Sequence, residues 1–351
     1  MTDAPVFPAV PGVVITGAGG WLGRALLARY EAERTTGRST PRQLRVLLGS
    51  AGEVPDVREL APTAQIHVGD IADPDAVSAL LRGATGYAIV HAAGVIHPAT
   101  VADFERVNAG GTNVLLKEAA AAATGRIVHI SSNSPFGVNP RPDDRFRHDE
   151  PFAPWLGYGA SKMHAELAVR DAVEAGQDVV IVRPPWFYGP WQPARQTTFF
   201  ALVRTGRFPV LGGGQQQRSM VYTGNLVDGI LLALGVPQAR GGAFWIADSQ
   251  PYQMADVVAT VREVLAESGY AVSPHTLALP ALIGRLAERG DRLLQRRGRY
   301  VQGLHVLGET NKTIACDIAH STDVLGYRPR VALAQGMREA VRWCQARGIQ
   351  L

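Results

Sequence analysis

The sequence predicts an α/β protein: a doubly wound parallel sheet with helices on both faces, followed by a smaller C-terminal substrate-binding region. Three observations lead there. Short apolar runs alternate with helical patterns through the first half of the chain, a glycine-rich turn follows the first apolar run, and the composition changes after Arg183. Val13-Val14-Ile15 reads as a buried strand, and residues 21–33 as a helix with Leu22, Leu26 and Leu27 on its apolar side. Residues 44–48, 65–68, 87–91, 127–130 and 179–182 read as further strands, separated mostly by helical stretches at 75–81, 112–123 and 160–175. The polar segment 35–42, with Gly37 and Pro41, reads as a surface loop. Beyond Arg183, prolines and aromatics crowd residues 184–193, and Gly212-Gly213-Gly214 marks another turn. A helix is expected at 254–267, then an irregular stretch at 274–311 with a helical pattern inside it at 277–294.

A chain of 351 residues makes one large or two modest domains. With 46% hydrophobic residues, 19% charged residues and a net charge of +4, disorder is not expected. No apolar run reaches bilayer-spanning length. The first eleven residues carry no basic stretch followed by an apolar one, so no export signal is expected. Cys316 and Cys344 are too few for a disulfide framework and are not spaced as a metal-ligand pair, so no metal is expected and a cytoplasmic location is. Only Lys117, Lys162 and Lys312 are lysines; the basic excess is arginine spread among acids, densest at Arg296-Arg297-Gly298-Arg299. That pattern reads as a solvated surface, so no nucleic-acid partner is expected.

Gly17, Gly20 and Gly23 stand three apart in Thr16-Gly17-Ala18-Gly19-Gly20-Trp21-Leu22-Gly23, where a strand turns into a helix. A dinucleotide needs this: a tight turn, a backbone free of Cβ atoms facing the pyrophosphate, and free N–H groups at a helix start. Gly17, Gly20, Trp21, Leu22 and Gly23 are therefore candidate cofactor contacts. The second strand runs into Gly49-Ser50-Ala51-Gly52-Glu53 with no acid at its tip. Ser50 can donate to a phosphate and Arg45 or Arg58 can supply charge, which tips the choice between NAD and NADP toward NADP; Glu53 as a displaced ribose ligand is the opposite reading. Asp70, followed by Ile71, is placed to accept from an adenine amino group or else to cap the helix near Asp73-Pro74. The small residues Ala92, Ala93 and Gly94 let a ribose lie against the backbone, and His91 before them reads as structural.

Tyr158 and Lys162 are four apart and share a helix face. An ammonium beside a phenol stabilises the phenolate, so Lys162 is expected to lower the Tyr158 pKa and make it a proton shuttle. The strand at 127–130 ends in Ser131-Ser132-Asn133-Ser134, and loops at strand C-termini line the ligand crevice of such a sheet. A serine hydroxyl there can hold a substrate oxygen.

These pieces resemble the extended short-chain dehydrogenase/reductase family, with its NAD-dependent epimerase/dehydratase and 3β-hydroxysteroid dehydrogenase-like branches. The resemblance rests on the glycine turn, Gly69-Asp70, His91 to Gly94, Asn108 in Val107-Asn108-Ala109, Ser131-Ser132, Tyr158 to Lys162, Arg183-Pro184, Tyr188-Gly189-Pro190 and Leu325-Gly326-Tyr327-Arg328-Pro329. It implies a Rossmann domain binding NAD(P), formed by residues 1–183 with about 220–250, beside a substrate-binding domain of 184–219 with 251–351. It implies Tyr158 as acid/base, Lys162 as its support and ribose ligand, Ser132 rather than Ser131 as the catalytic serine by its distance from Gly137, and Asn108 and Pro185 at the cofactor. Asn133 and Trp186 are then candidate substrate contacts.

Nucleotide-sugar dehydratases carry an acidic pair where Asn133-Ser134 stand, which disfavours dehydration. Trp186 replaces the diphosphate-binding Asn of many epimerases, whereas Arg218 matches their diphosphate arginine. Residues 221–226 and the helical 277–294 look closer to the steroid dehydrogenase-like branch, where an apolar substrate often lies, although ordinary packing is the favoured reading of the latter stretch. The resemblance also implies a homodimer through a helix pair. The expected function is NAD(P)-dependent interconversion of a secondary alcohol and a ketone of a small molecule. Its alternatives are a nucleotide-sugar epimerase with tightly bound NAD and a non-catalytic dinucleotide sensor.

Overall fold

The computed structural model describes residues 4–38 and 41–351. The expected loop at 35–42 therefore falls partly outside the described residues, and the helix before it runs on through Thr35. The first half is strand–helix alternation: β1 (Gly12–Thr16), α1 (Trp21–Thr35), β2 (Gln43–Leu48), α2 (Val54–Leu60), β3 (Gln65–Val68), α3 (Pro74–Leu81), β4 (Ala88–His91), α4 (Val101–Phe104), α5 (Gly111–Ala121), β5 (Ile127–Ile130), α6 (Leu156–Glu174) and β6 (Val179–Arg183). Further strands are β7 (Trp186–Tyr188), β8 (Pro209–Leu211), β9 (Gln217–Arg218), β10 (Met220–Tyr222) and β11 (Ala243–Trp245), with α7 (Ala194–Arg204) and α8 (Thr223–Gly235) among them.

The main sheet has seven strands in the order β11-β6-β5-β4-β1-β2-β3, every pair parallel. This is the expected Rossmann arrangement, and its switch point lies between β1 and β4. Strand alternation divides the core. Val13 and Ile15 point to one face, where they pack with Leu26 of α1 and Leu226, Ile230 and Leu231 of α8. Val14 points to the other, with Val77 and Leu80 of α3, Leu115 of α5 and Val169 of α6. The glycine turn and the segment 92–94 thus emerge side by side at the C-terminal edge of the sheet.

The C-terminal part adds α9 (Met254–Glu267), α10 (Ala281–Arg296), α11 (Gln302–Thr310), α12 (Ala319–Leu325) and α13 (Leu333–Ala346). Phe199, Phe200 and Val203 of α7, Val257 and Val261 of α9, and Met337 and Val341 of α13 form a separate apolar cluster. Leu325 and Tyr327 instead join the core of the main sheet. The stretch 274–311, expected to be irregular, is ordered: Leu277–Leu279 pairs with β8, and α10 and α11 follow. The helical pattern expected at 277–294 corresponds to α10, which starts only at Ala281, whereas α11 has no counterpart in the expected pattern.

One contact binds the end of β6 to α6. Arg183 donates to Glu166 through Nε at 3.0 Å and Nη2 at 2.6 Å, and both side chains are fully buried. A third donation reaches the His148 carbonyl at 2.7 Å. The guanidinium also lies 4.4 Å from the Phe136 ring centre and 5.6 Å from that of Trp245. Removing one partner of such a pair leaves a buried charge uncompensated. Arg183→Met is expected to cost about 3–5 kcal/mol, read as a lower urea midpoint. A midpoint unchanged from the parent would contradict this account of the β6–α6 junction.

Candidate active site

The glycine turn is built for close approach. Gly17 has φ +69°, and a Cβ there would lie 2.7 Å from the Ala93 nitrogen. A Cβ on Gly23 would lie 2.3 Å from the Gly17 carbonyl oxygen, so only glycine lets α1 pack this tightly on the turn. Gly20 caps α1 without a side-chain hydrogen bond and no acid stands in the first turn, which leaves N–H groups for an anion. Trp21 and Leu22 are buried behind the turn, with the Trp21 indole N–H donating to the Pro190 carbonyl at 2.7 Å. The segment 92–94 faces the turn, and a Cβ on Gly94 would meet Asn108 Oδ1 at 2.9 Å and Lys162 Nζ at 3.5 Å. These residues fit a bound dinucleotide.

Around the far end of that site the sequence expectations divide. Ser50 accepts from the Gly52 N–H and shapes its own turn. Arg45 donates to the Leu80 and Arg82 carbonyls, and Arg58 to those of Pro62 and Ala64, so both cations are engaged with backbone. The Glu53 carboxylate lies against Gly19, close enough that a Cβ there would meet it at 2.5–2.8 Å. Asp70 accepts from the Ala72 N–H at 2.9 Å and pairs with Arg106. The cap of α3 is Asp73, which accepts from Asp75, so Asp70 is not the cap. Ile71 is buried against Gly111. His91 is held between Thr16 Oγ1 at 2.8 Å and Thr112 Oγ1 at 3.0 Å, and burial depresses its pKa to about 3, which makes it a neutral structural group.

Asn108 sits in a widened π-helical turn, Glu105–Gly110. Its Oδ1 accepts from the Val95 N–H at 2.8 Å, and its Nδ2 donates to the Val95 carbonyl at 3.1 Å and to Ser161 Oγ at 3.0 Å. The residue expected at the cofactor thus stitches the loop after β4 to α6, beside Gly94. Pro185 is buried between β6 and β7.

α6 begins at Leu156, four residues earlier than the sequence pattern predicts, so Tyr158 stands in its first turn with Lys162 one turn on. Lys162 is buried and donates to the Ile130 carbonyl at 2.9 Å, which anchors it to the end of β5. Burial lowers its pKa to about 8, opposed by Glu166. Burial also pushes the Tyr158 phenol up to about 12; a hydrogen bond with Ser132 and the charge of Arg195 act against that rise, and Glu309 adds to it. The expected lowering by Lys162 does not occur: Lys162 is not among the groups acting on the phenol, and removal from water outweighs the contacts with Ser132 and Arg195. Ser132, rather than Ser131, is the serine that reaches Tyr158; the Ser131 hydroxyl is buried without a partner. Asn133 precedes the short 3₁₀ turn at Ser134–Phe136.

Five neighbours have no counterpart among the sequence expectations. Arg195, in the first turn of α7, has its guanidinium 5.8 Å from the Trp21 ring centre and acts on Tyr158, Tyr300 and His97. His97 Nδ1 and the Tyr300 hydroxyl are hydrogen-bonded at 2.7 Å, and burial lowers the His97 pKa to about 4. Phe104 packs against both Tyr158 and Tyr300. Glu309 faces Arg218 at 3.5 Å. Tyr300 and Glu309 come from the stretch read as irregular, so no pattern pointed to them; His97, three residues past Gly94, was the one within reach of motif reading. Arg218 itself is buried, donates to the Glu309 carbonyl, and keeps its Nε without a partner. Trp186 is half-buried, 5.6 Å from Phe199 between ring centres.

Comparison with known proteins agrees with this architecture. The model of the NAD dependent epimerase/dehydratase family matches residues 13–247. The uncharacterized protein y4nL of Sinorhizobium fredii is 44% identical over 354 residues, covering 98% of both chains. UDP-glucose 4-epimerase of Vibrio cholerae is 28% identical over 248 residues, which is 68% of this chain and 69% of that one. The crystal structure of DesIV, a dTDP-glucose 4,6-dehydratase of Streptomyces venezuelae with NAD and TYD bound, has a TM-score of 0.75 at 25% identity and covers 96% of this chain and 98% of that chain.

The Ser132 contact carries a direct test. Ser132→Ala removes a hydrogen bond that holds the phenol down, so the Tyr158 pKa rises further. Ultraviolet difference titration of the variant, corrected with Tyr158→Phe, is expected to show later ionisation at this position. Earlier ionisation would contradict it.

Proposed function

The chain belongs to the NAD-dependent epimerase/dehydratase family, and on that premise we propose that it inverts a secondary hydroxyl of a nucleoside-diphosphate sugar while holding NAD throughout the cycle. The observation that carries the substrate class is Arg218: a buried guanidinium with an orphaned Nε donor, facing a Glu309 whose charge also reaches Tyr158. An unpartnered buried donor costs about 1–3 kcal/mol, and a diphosphate oxygen would satisfy it.

When bound, NAD would supply reversible hydride acceptance, so inversion would need no net oxidant. The chain's own part is proton transfer and orientation. Tyr158 takes the proton of the reacting hydroxyl and later gives it back, and Ser132 holds that oxygen beside it. Lys162, fixed on the Ile130 carbonyl, keeps positive charge next to Gly94 and supports the ribose. NAD is preferred over NADP because Glu53 lies on the glycine turn, where a carboxylate suits a ribose 2′-hydroxyl and repels a 2′-phosphate, while Arg45 and Arg58 are engaged elsewhere. Asn133 and Ser134 offer no acid for dehydration.

Trp186, an apolar surface where an amide would grip a diphosphate, favours a second reading: open alcohol–ketone interconversion on a less polar substrate. The two differ in their electron balance. Incubation with UDP- and dTDP-sugars is expected to yield the inverted sugar with no lasting change at the nicotinamide absorbance. Stoichiometric NADH accumulation with a simple alcohol would transfer the assignment to the second reading. Tyr158→Phe is expected to lose on the order of 10²–10⁴ in turnover while keeping NAD binding by titration. Full turnover in that variant would remove the acid/base role.

The pH dependence follows from the same phenol. With its pKa raised to about 12, the base form is scarce at neutral pH and grows with each step upward. The oxidation half-reaction, followed by kcat/KM, is therefore expected to rise with pH across the neutral range. A rate that falls across that range would sink the phenolate assignment.

A further inference from the structure

The outward face of α10 has no role in the chemistry above. Leu282, Leu286 and Leu293 are 60%, 55% and 50% exposed, and their i, i+4, i+11 spacing places them in one row along the helix. Arg285, Arg289, Arg292 and Arg296 form a parallel row beside it, all exposed. The opposite face is buried through Gly284, Ala287, Asp291 and Gln295. It is also locked: Asp291 accepts from Gln295 at 3.1 Å and pairs with His305 at 2.8 Å, and Gln295 accepts from the Gly157 N–H at 3.2 Å. The leucine row is therefore held outward by the same helix that braces the start of α6. Glu288 pairs with Arg292 and Lys312. Among the described residues, Arg285, Arg289 and Arg296 have no carboxylate partner, and Arg297 and Arg299 extend the positive charge beyond the helix.

We propose that this face of α10 seats the protein on an anionic lipid bilayer surface. A leucine row flanked by arginines matches the interface: leucines enter the acyl boundary while guanidinium groups stay with lipid phosphates. No helix among the described residues is long and apolar enough to cross a membrane, so the seating is in the plane. A second copy suits the face poorly, because a two-fold contact through the leucines brings like-charged arginine rows together. This inference does not depend on the sugar substrate.

The test is co-sedimentation of the full chain with phosphatidylcholine vesicles, with and without phosphatidylglycerol, over a salt series. Binding is expected only with the anionic lipid and is expected to weaken as salt rises. Replacing Leu282, Leu286 and Leu293 together by Ser is expected to weaken partitioning tenfold or more, on the order set by burying their area. Arg285→Gln, Arg289→Gln and Arg296→Gln are expected to cost about fivefold each and to flatten the salt dependence. These side chains are exposed, so thermal midpoints serve as the folding control. No binding to anionic vesicles, binding untouched by both variant sets, or a dimer in light scattering that the serine variant dissolves would each overturn the proposal.

Discussion

The buried Arg183–Glu166 pair is the constraint on which the site depends. Glu166 lies one turn beyond Lys162 on α6, and Arg183 ends β6, so the pair fixes the helix against the C-terminal edge of the sheet. Its two parallel donations are directional, which apolar packing alone is not. The phase of α6 follows, and with it the placement of Lys162 beside Gly94 and of Tyr158 one turn before it. Glu166 also acts on Lys162 itself, opposing the loss of its charge on burial. Stability and site geometry thus share one contact.

Burial works against both charged forms of the Tyr158–Lys162 pair, raising the phenol and lowering the ammonium. What keeps them in place is backbone and helper contacts: the Ile130 carbonyl on Lys162, Ser132 on Tyr158, and Asn108 fastening Ser161 to the loop after β4. Ser161 in turn donates to the Tyr158 carbonyl at 2.9 Å, so Asn108 steadies the turn that carries the phenol. Its position in a π-helical turn widens the helix locally and lets one amide reach both segments. The motif residues therefore divide into groups that face the crevice and groups that hold it open.

The C-terminal segment completes the site from outside the sheet. Tyr300 and Glu309 reach Tyr158 and Arg218 from the α10–α11 pair, while β9 carries Arg218 across to meet them. A similar division holds for the second core. Asp248 gathers the Tyr188 hydroxyl, the Tyr222 N–H and Asn225 in one buried knot, which sets the register of β7 and β10 beside the sheet. Tyr188, from Tyr188-Gly189-Pro190, and Asn225, from the segment 221–226, meet in this knot.

By itself, the sequence determined what local periodicity and backbone chemistry can encode. The parallel sheet was legible because Val13–Ile15 and its counterparts are apolar runs of strand length. The glycine turn was legible because Gly17 and Gly23 admit no side chain, and the Tyr158–Lys162 pair because four residues make one helical turn. Tertiary structure alone decided the rest. Arg45 and Arg58 were free charges in the sequence and became engaged with backbone carbonyls in the fold. Glu53 moved onto the glycine turn, Asn108 became a strut, and Arg195, Tyr300 and Glu309 entered the crevice from segments with no motif. The physical reason is that hydrogen-bond partners and desolvation belong to distant pairs of residues, and no spacing along the chain records which distant group will arrive.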